Sequence, residues 1–151
     1  MPRNTSKSLK ISLIAVGAKA SSHLAHMTWM TERGINRVAI VPNNYVPHAA
    51  SVDHVIQLAH DRRVAKAPLQ NMGDIAENII SAQMLQIGDA VANSDLVIFR
   101  GNIASNLIAH EIKHIATKMR EQGKLVVYAY ALPFSFEGAA PQAAAWSASR
   151  Y

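Results

Sequence analysis

The stretch Lys124-Leu-Val-Val-Tyr-Ala-Tyr-Ala-Leu-Pro-Phe-Ser-Phe-Glu-Gly138 decides which fold we expect for this chain. Its first half is rich in β-branched and aromatic side chains, and no charged residue falls between Lys124 and Glu137. Such a run is typical of a buried strand. Pro133 has no N–H to donate, so it ends the strand. We therefore predict a buried strand over residues 124–131, followed by an apolar turn.

Upstream of this strand, short apolar runs alternate with stretches of helical periodicity. Ser21 or Ser22 is placed to cap the first helix, and Gly34 is placed to end it. Residues 61–71 are basic and irregular. The predicted strands cover residues 9–16, 37–41, 54–58 and 95–99, and the predicted helices cover residues 23–33, 73–93 and 104–122. Strands that alternate with helices predict an α/β protein, with a parallel sheet between flanking helices in three layers.

The composition limits the function classes. With 151 residues, half of them hydrophobic and 17% charged, the chain is long and apolar enough for one globular domain. It has no cysteine, which excludes a disulfide scaffold and a thiolate metal site. The net charge is +5, but the cations are scattered and do not interleave with aromatic residues. We therefore expect no nucleic-acid partner.

The N-terminus has some features of an export signal. Arg3, Lys7 and Lys10 precede a short apolar run, and Ala18-Lys-Ala20 is similar to a signal-peptidase site. The run is short for a signal, however, and the sheet needs it as its first strand. We expect a cytoplasmic protein without a membrane span. Residues 1–8 are expected to be a flexible N-terminus, and residues 139–151 a low-complexity tail.

The string Leu132-Pro-Phe-Ser-Phe-Glu-Gly138 closely resembles the strand-end motif "(T)RPFSFEG" of the FtsZ/tubulin family. Residues 94–99 are similar to the family's "(A)DMVFI" strand, residues 122–127 to its "LG-LTV", and residues 34–39 to its "G-(x)3-F-A". The resemblance covers residues 9–138 and implies an FtsZ/tubulin-like (Rossmann-like) nucleotide-binding domain. The family's guanine-contacting central helix and its hydrolysis loop have no counterpart in these residues.

The resemblance fails at the loops that hold phosphate in the family. A phosphate cradle needs glycines, because the backbone must turn with positive φ and bring N–H groups close to the anion. The family's "GGGGGN" is matched by residues 16–22, which contain one glycine. Its "GGGTGTG" falls on residues 104–110, which contain no glycine or threonine. Its "NTD" falls on Val41-Pro-Asn43, without the carboxylate. No match to its "GAGANP" appears in residues 66–73.

The resemblance therefore implies a degenerate nucleotide site. Its positions are Gly17, Lys19, Ser21, Ser22, Asn43, Gly101, Ser105 and Asn106. One interpretation is that Lys19, the serines and a helix N-terminus still hold an anion. The other, which we favour, is ordinary turns with capping side chains. We expect no cofactor, with GTP or GDP at most weakly bound.

On this interpretation, GTPase activity has been lost. The resemblance then implies an interaction module in cell division or in a bacterial tubulin-like cytoskeleton. Its partners would be FtsZ-type subunits or a second copy of the chain. A residual GTP-binding protein or GTPase remains an alternative.

A second alternative is a zinc hydrolase. His110-Glu-Ile-Lys-His114 fits the pattern H-E-x-x-H, in which two histidines bind zinc and Glu111 acts as general base. No Gly-x-x-His follows to supply a third ligand. The apolar residues of this predicted helix, which are Ile108, Ile112, Ile115 and Met119, lie nearly opposite the two histidines. We therefore expect the histidine pair to face solvent and to bind no metal.

Overall fold

The computed structural model describes residues 8–42, 45, 52–58 and 71–129. Within these residues, strands alternate with helices in the order expected for an α/β protein. The elements are β1 (Ile11–Val16), α1 (Ala18–His26), α2 (Trp29–Glu32), β2 (Asn36–Pro42), β3 (His54–Leu58), α3 (Met72–Ala90), β4 (Leu96–Gly101), α4 (Asn106–Glu121) and β5 (Leu125–Tyr128).

The strands form one sheet in the order β3-β2-β1-β4-β5, and every pair is parallel. β1 is central, and Ile14 on β1 lies opposite Val38 on β2 and Phe99 on β4. Its residues 12–16 are all buried, because helices cover this strand on both faces. The predicted fold class, a parallel sheet in a three-layer α/β domain, is confirmed.

The two faces of the sheet carry different helices. α1 and α2 pack on one face, where Leu13 and Ala15 of β1 meet Leu24 and Met30. α3 and α4 pack on the other, where the larger hydrophobic cluster lies. This cluster includes Ile14, Val38, Ile40, Ile56, Ile80, Ile87, Phe99, Ile112, Ile115 and Met119. The predicted apolar stripe of α4 therefore faces the core, as its periodicity indicated.

Arg37 joins the helices of one face to the sheet. It is only 5% exposed, and its guanidinium donates to the carbonyl of Leu24 at 3.3 Å and to Thr31 Oγ1 at 2.9 Å. Its Nε lies 4.0 Å from Asp53 Oδ2, which also accepts the backbone N–H of Arg37 at 2.8 Å. A buried charge needs such partners. This arrangement fixes the end of α1 and the start of β3 against β2.

The first helix differs from its prediction. The sequence predicted one helix over residues 23–33 with a serine cap, but the chain forms two helices, α1 and α2. α1 begins directly after Gly17, and no side chain caps it. Ser21 lies inside α1, and its hydroxyl donates back to the carbonyl of Ala15 at 3.4 Å. The predicted stop is confirmed at Gly34, which has a φ of +70°.

The last strand also differs from its prediction, because one of its faces is exposed and the other is only partly buried. Val126 and Tyr128 pack on the larger cluster, whereas Leu125 is 62% exposed and Val127 is 44% exposed. With Leu96 and Ile98 of β4, these two side chains form an apolar surface that we call the β4–β5 face. It lies on the same side of the sheet as α1. Ile98 packs against the cluster beneath α1, whereas no described element covers Leu125 or Val127.

Several predictions concern residues outside the part of the chain that the structure describes. They are the motif at residues 132–138, the tail at residues 139–151, the irregular stretch at residues 61–71 apart from Asn71, and the flexible N-terminus apart from Ser8. None of the described helices is long and apolar enough to cross a lipid bilayer.

Candidate functional site: the carboxyl edge of β1 and β4

The order of the strands indicates where a ligand site would lie. From β1 the chain continues through α1 towards β2, and from β4 it continues through α4 towards β5 on the other side. In open parallel sheets, ligands bind at the carboxyl ends of the two strands where the connections diverge. Here those ends carry Gly17, directly after β1, and Gly101, the last residue of β4.

Gly17 makes the turn from β1 into α1. Its φ of +100° lies in a region that side chains disfavour, and its N–H donates to the carbonyl of Ile40 at 2.8 Å. A Cβ at this position would lie 2.9 Å from Cδ1 of Ile108, a residue of α4. The space above the turn is therefore filled by a side chain from the following helix.

Gly101 is covered in the same way. A Cβ there would lie 2.7 Å from Cδ1 of Ile112, 3.1 Å from Cγ2 of Ile108 and 3.2 Å from the carbonyl of Val16. Ile108 thus contacts the ends of both central strands. In an α/β nucleotide site this space would belong to phosphate groups and to the N–H groups that bind them. In this protein the side chains of Ile108 and Ile112 occupy part of it.

A pocket of about 190 Å³ remains beside Ile108. Its walls are mostly apolar, and their polar side chains belong to Ser105 and Glu111. The pocket is lined by Gly17, Ala18, Ile40, Val41, Pro42, Leu58, Ser105, Leu107, Ile108 and Glu111. Glu111 is 1% exposed. A carboxyl group accepts hydrogen bonds when ionised and so competes with phosphate oxygens for the same donors.

The structure brings only some of the predicted site residues together. Gly17 and Ser105 line the same pocket. Lys19 and Asn106 are exposed. The hydroxyl of Ser22 is hydrogen-bonded to that of Tyr45. Gly101 lies beneath Ile108 and Ile112, Ser21 is turned towards Ala15, and Asn43 lies outside the described residues.

The sequence predicted that Asn102, Ser105 or Asn106 caps α4, and this prediction is confirmed for Ser105. Ser105 is its N-cap, with Oγ accepting from the N–H of Ile108 at 3.5 Å. Asn102 Oδ1 accepts from the N–H of Ala104 at 3.1 Å in the preceding turn. Sequence reasoning missed the position of Ile108 over both strand ends. The available signal was that Ile108 falls within the segment aligned with the family's glycine-rich signature.

The histidine pair is less exposed than predicted, since His110 and His114 are both half-buried. α3 packs along α4. A Cβ on Gly73 of α3 would lie 3.7 Å from the ring of His110. Glu111, between the histidines, is directed to the strand ends instead. Among the described residues, no three His, Asp or Glu side chains are grouped so that they could hold a metal ion.

This packing leads to a prediction for the two histidines. Changing both His110 and His114 to alanine is expected to lower the free energy of unfolding by about 1 kcal/mol, because two half-buried side chains lose their packing contacts. A matched control is the exposed pair His23 and His26 of α1, for which the same change should cost at most about 0.5 kcal/mol. Urea unfolding followed by circular dichroism measures both. Equal costs for the two pairs would contradict the prediction.

Comparisons with known proteins support the fold. No protein-family model matches the chain, and no curated protein matches it. A solved structure of an empty FtsZ dimer from M. jannaschii aligns with a TM-score of 0.64 over 89% of this chain, at 19% identity. A structure of a point mutant of FtsZ from M. jannaschii aligns with a TM-score of 0.61 over 87% of this chain, at 20% identity.

In both alignments the chain spans 39% of the length of the FtsZ chain. At this level of identity the likeness concerns the fold. The parallel sheet, its strand order and these alignments together assign the FtsZ/tubulin-like α/β fold to this chain.

Proposed function

We propose that this protein is a non-hydrolysing interaction module with an FtsZ-like fold, acting in the cytoplasm in cell division or in a tubulin-like cytoskeleton. The observation that carries the proposal is the packing of Ile108 and Ile112 over the carboxyl ends of β1 and β4. The fold is FtsZ-like, while side chains of α4 occupy part of the edge where a nucleotide would bind in such a fold.

The closed edge argues against GTP hydrolysis on physical grounds. Phosphoryl transfer depends on donors and cations that are fixed around the phosphate oxygens. Near Gly17 and Gly101, the nearest side-chain atoms from α4 are methyl and methylene groups. The buried carboxyl group of Glu111 lines the same pocket. This mostly apolar lining with a buried carboxyl group supports our proposal that the protein needs no nucleotide cofactor.

The partner proposal follows from the fold. The similar M. jannaschii protein is described as a dimer, and this chain spans 39% of such a subunit. A domain of this fold that docks on such a subunit without hydrolysing GTP would cap or shorten a filament. We therefore propose an FtsZ-type subunit, or a second copy of this chain, as the partner.

The first expected result is the absence of nucleotide binding. Calorimetric titration of the purified protein with GTP and with GDP should give no saturable heat, and phosphate release should not exceed that of a buffer control. An FtsZ measured in parallel shows that the assay works. Saturable binding, or phosphate release that a folded Gly17→Val variant loses, would overturn the non-hydrolysing assignment.

The partner proposal has its own experiment. FtsZ from the same cell is assembled with GTP and sedimented with and without a several-fold excess of this protein. We expect the protein to enter the pellet or to reduce the amount of pelleted FtsZ. A docking interface of about 800 Å² per partner is enough for micromolar affinity when it is well packed. An unchanged pellet with all of the protein in the supernatant would exclude FtsZ as the partner.

A further inference from the structure

The β4–β5 face is an apolar surface on one side of the sheet. Two rows of side chains cross the sheet there, Ile11–Leu96–Leu125 and Leu13–Ile98–Val127. α1 packs over the β1 end of these rows, where Leu13 is 5% exposed. At the β5 end, Leu125 is 62% exposed and Val127 is 44% exposed. Parallel sheets are covered on both faces, because their strands are apolar on both sides.

We propose that residues 130–151 of the same chain cover the β4–β5 face. The N–H of Ala129 still donates to the carbonyl of Phe99 at 2.8 Å, so the chain stays in the sheet up to this residue. Residue 130 therefore starts at the carboxyl end of the face. The segment has the composition of a covering element, since its only charged residues are Glu137 and Arg150 and it contains Leu132, Phe134, Phe136 and Trp146.

The segment is long enough for this role. The face extends over the four residues of β5, a distance of about 13 Å at roughly 3.3 Å per residue. The segment has 22 residues, which span more than this distance even at the helical rise of about 1.5 Å per residue. Its attachment at Ala129 also gives it an effective concentration on the order of millimolar at the face. The tether favours it over a second copy of the chain.

The inference does not depend on the proposed function, but it affects which surface a partner could bind. A partner that binds the β4–β5 face would first have to displace residues 130–151. The inference is tested on the isolated protein, without nucleotide or FtsZ. Its failure would therefore leave the closed nucleotide edge and the partner proposal unaffected.

The test uses the fluorescence of Trp146. A Trp29→Phe variant makes Trp146 the only tryptophan; Trp29 is 49% exposed, and phenylalanine keeps a ring beside Arg33. We expect Trp146 to emit at shorter wavelength than in the urea-unfolded chain and to be partly shielded from acrylamide. In the same background, Leu125→Glu places a charge in the β4–β5 face. It should return both signals to their unfolded values while the far-UV spectrum stays native.

Leu85→Glu is the matched control. Leu85 is 87% exposed and lies on α3, on the other side of the sheet, so this change should leave Trp146 shielded. The inference is overturned if Trp146 in the native protein already has its unfolded emission and quenching, as a mobile tail would. It is also overturned if Leu125→Glu has no effect. Shielding that disappears on dilution would assign the face to a second copy of the chain.

Discussion

Replacing Phe99 by alanine is expected to lower the free energy of unfolding by about 3–5 kcal/mol, the usual cost of removing a buried aromatic side chain. Phe99 is 1% exposed and lies in β4 between Ile14 of β1 and Tyr128 of β5. Its ring centroid is 6.2 Å from that of Tyr128. The change removes contacts with both neighbouring strands and leaves a cavity in the larger hydrophobic cluster.

Urea unfolding followed by circular dichroism measures this loss. Leu85→Ala serves as control, because Leu85 is 87% exposed and its truncation should change the stability by no more than about 0.5 kcal/mol. A loss below about 1 kcal/mol for Phe99→Ala would mean that the cluster on the α3–α4 side is not the main core. A variant that does not fold at all agrees with the expectation, and Phe99→Leu then gives a measurable smaller loss.

Gly101→Ala is expected to cost about 1–3 kcal/mol, because it adds a methyl group to a packed core. The new Cβ would lie 2.7 Å from Ile112 Cδ1 and 3.2 Å from the carbonyl of Val16. In a nucleotide site this space would be open to the ligand, and a methyl group would cost little in the absence of ligand. The stability of this variant therefore tests directly whether the carboxyl edge is closed.

Gly88→Ala is the matched control for this change. Gly88 lies in α3 with no atom within 4 Å of an added Cβ, so alanine there should be neutral or stabilising by about 0.5–1 kcal/mol. Ile112→Val removes the Cδ1 atom that meets the new Cβ. In that background Gly101→Ala should cost less than in the original protein, and a double-mutant cycle measures the difference. Additive costs would show that Ile112 does not cover Gly101.

The strands and helices were largely predictable from the sequence. The third strand was predicted with its observed bounds, His54–Leu58, and α4 was predicted within two residues at its start and one at its end. These elements have clear apolar runs or a clear helical period, which are local properties of the chain. The start of α1 was missed, since a glycine without a capping side chain gives a weaker signal than the serines that follow it.

For the candidate site, the sequence predicted the loss of phosphate-binding character but not the packing at the strand ends. The scarcity of glycine in residues 16–22 and 104–110 led to the prediction that no phosphate cradle forms, and this prediction came from the sequence alone. The sequence could not indicate which side chain lies over the strand ends, because Gly17, Gly101 and Ile108 are distant in the chain and meet only when β1 and β4 pair. The position of Glu111 was also not predictable from the sequence. The histidines on either side of it suggested a metal site, but Glu111 lines the pocket at the strand ends.

The sequence by itself determined that this chain is a parallel α/β domain, since the alternation of apolar runs and helical periods is a local property of the residue order. Only the tertiary structure decided that Ile108 lies over the ends of β1 and β4, that the histidine pair is half-buried, and that one face of β5 is exposed among the described residues. The physical reason is that periodicity specifies which side of an element is apolar. Which element covers that side depends on strand order and crossover packing between distant segments.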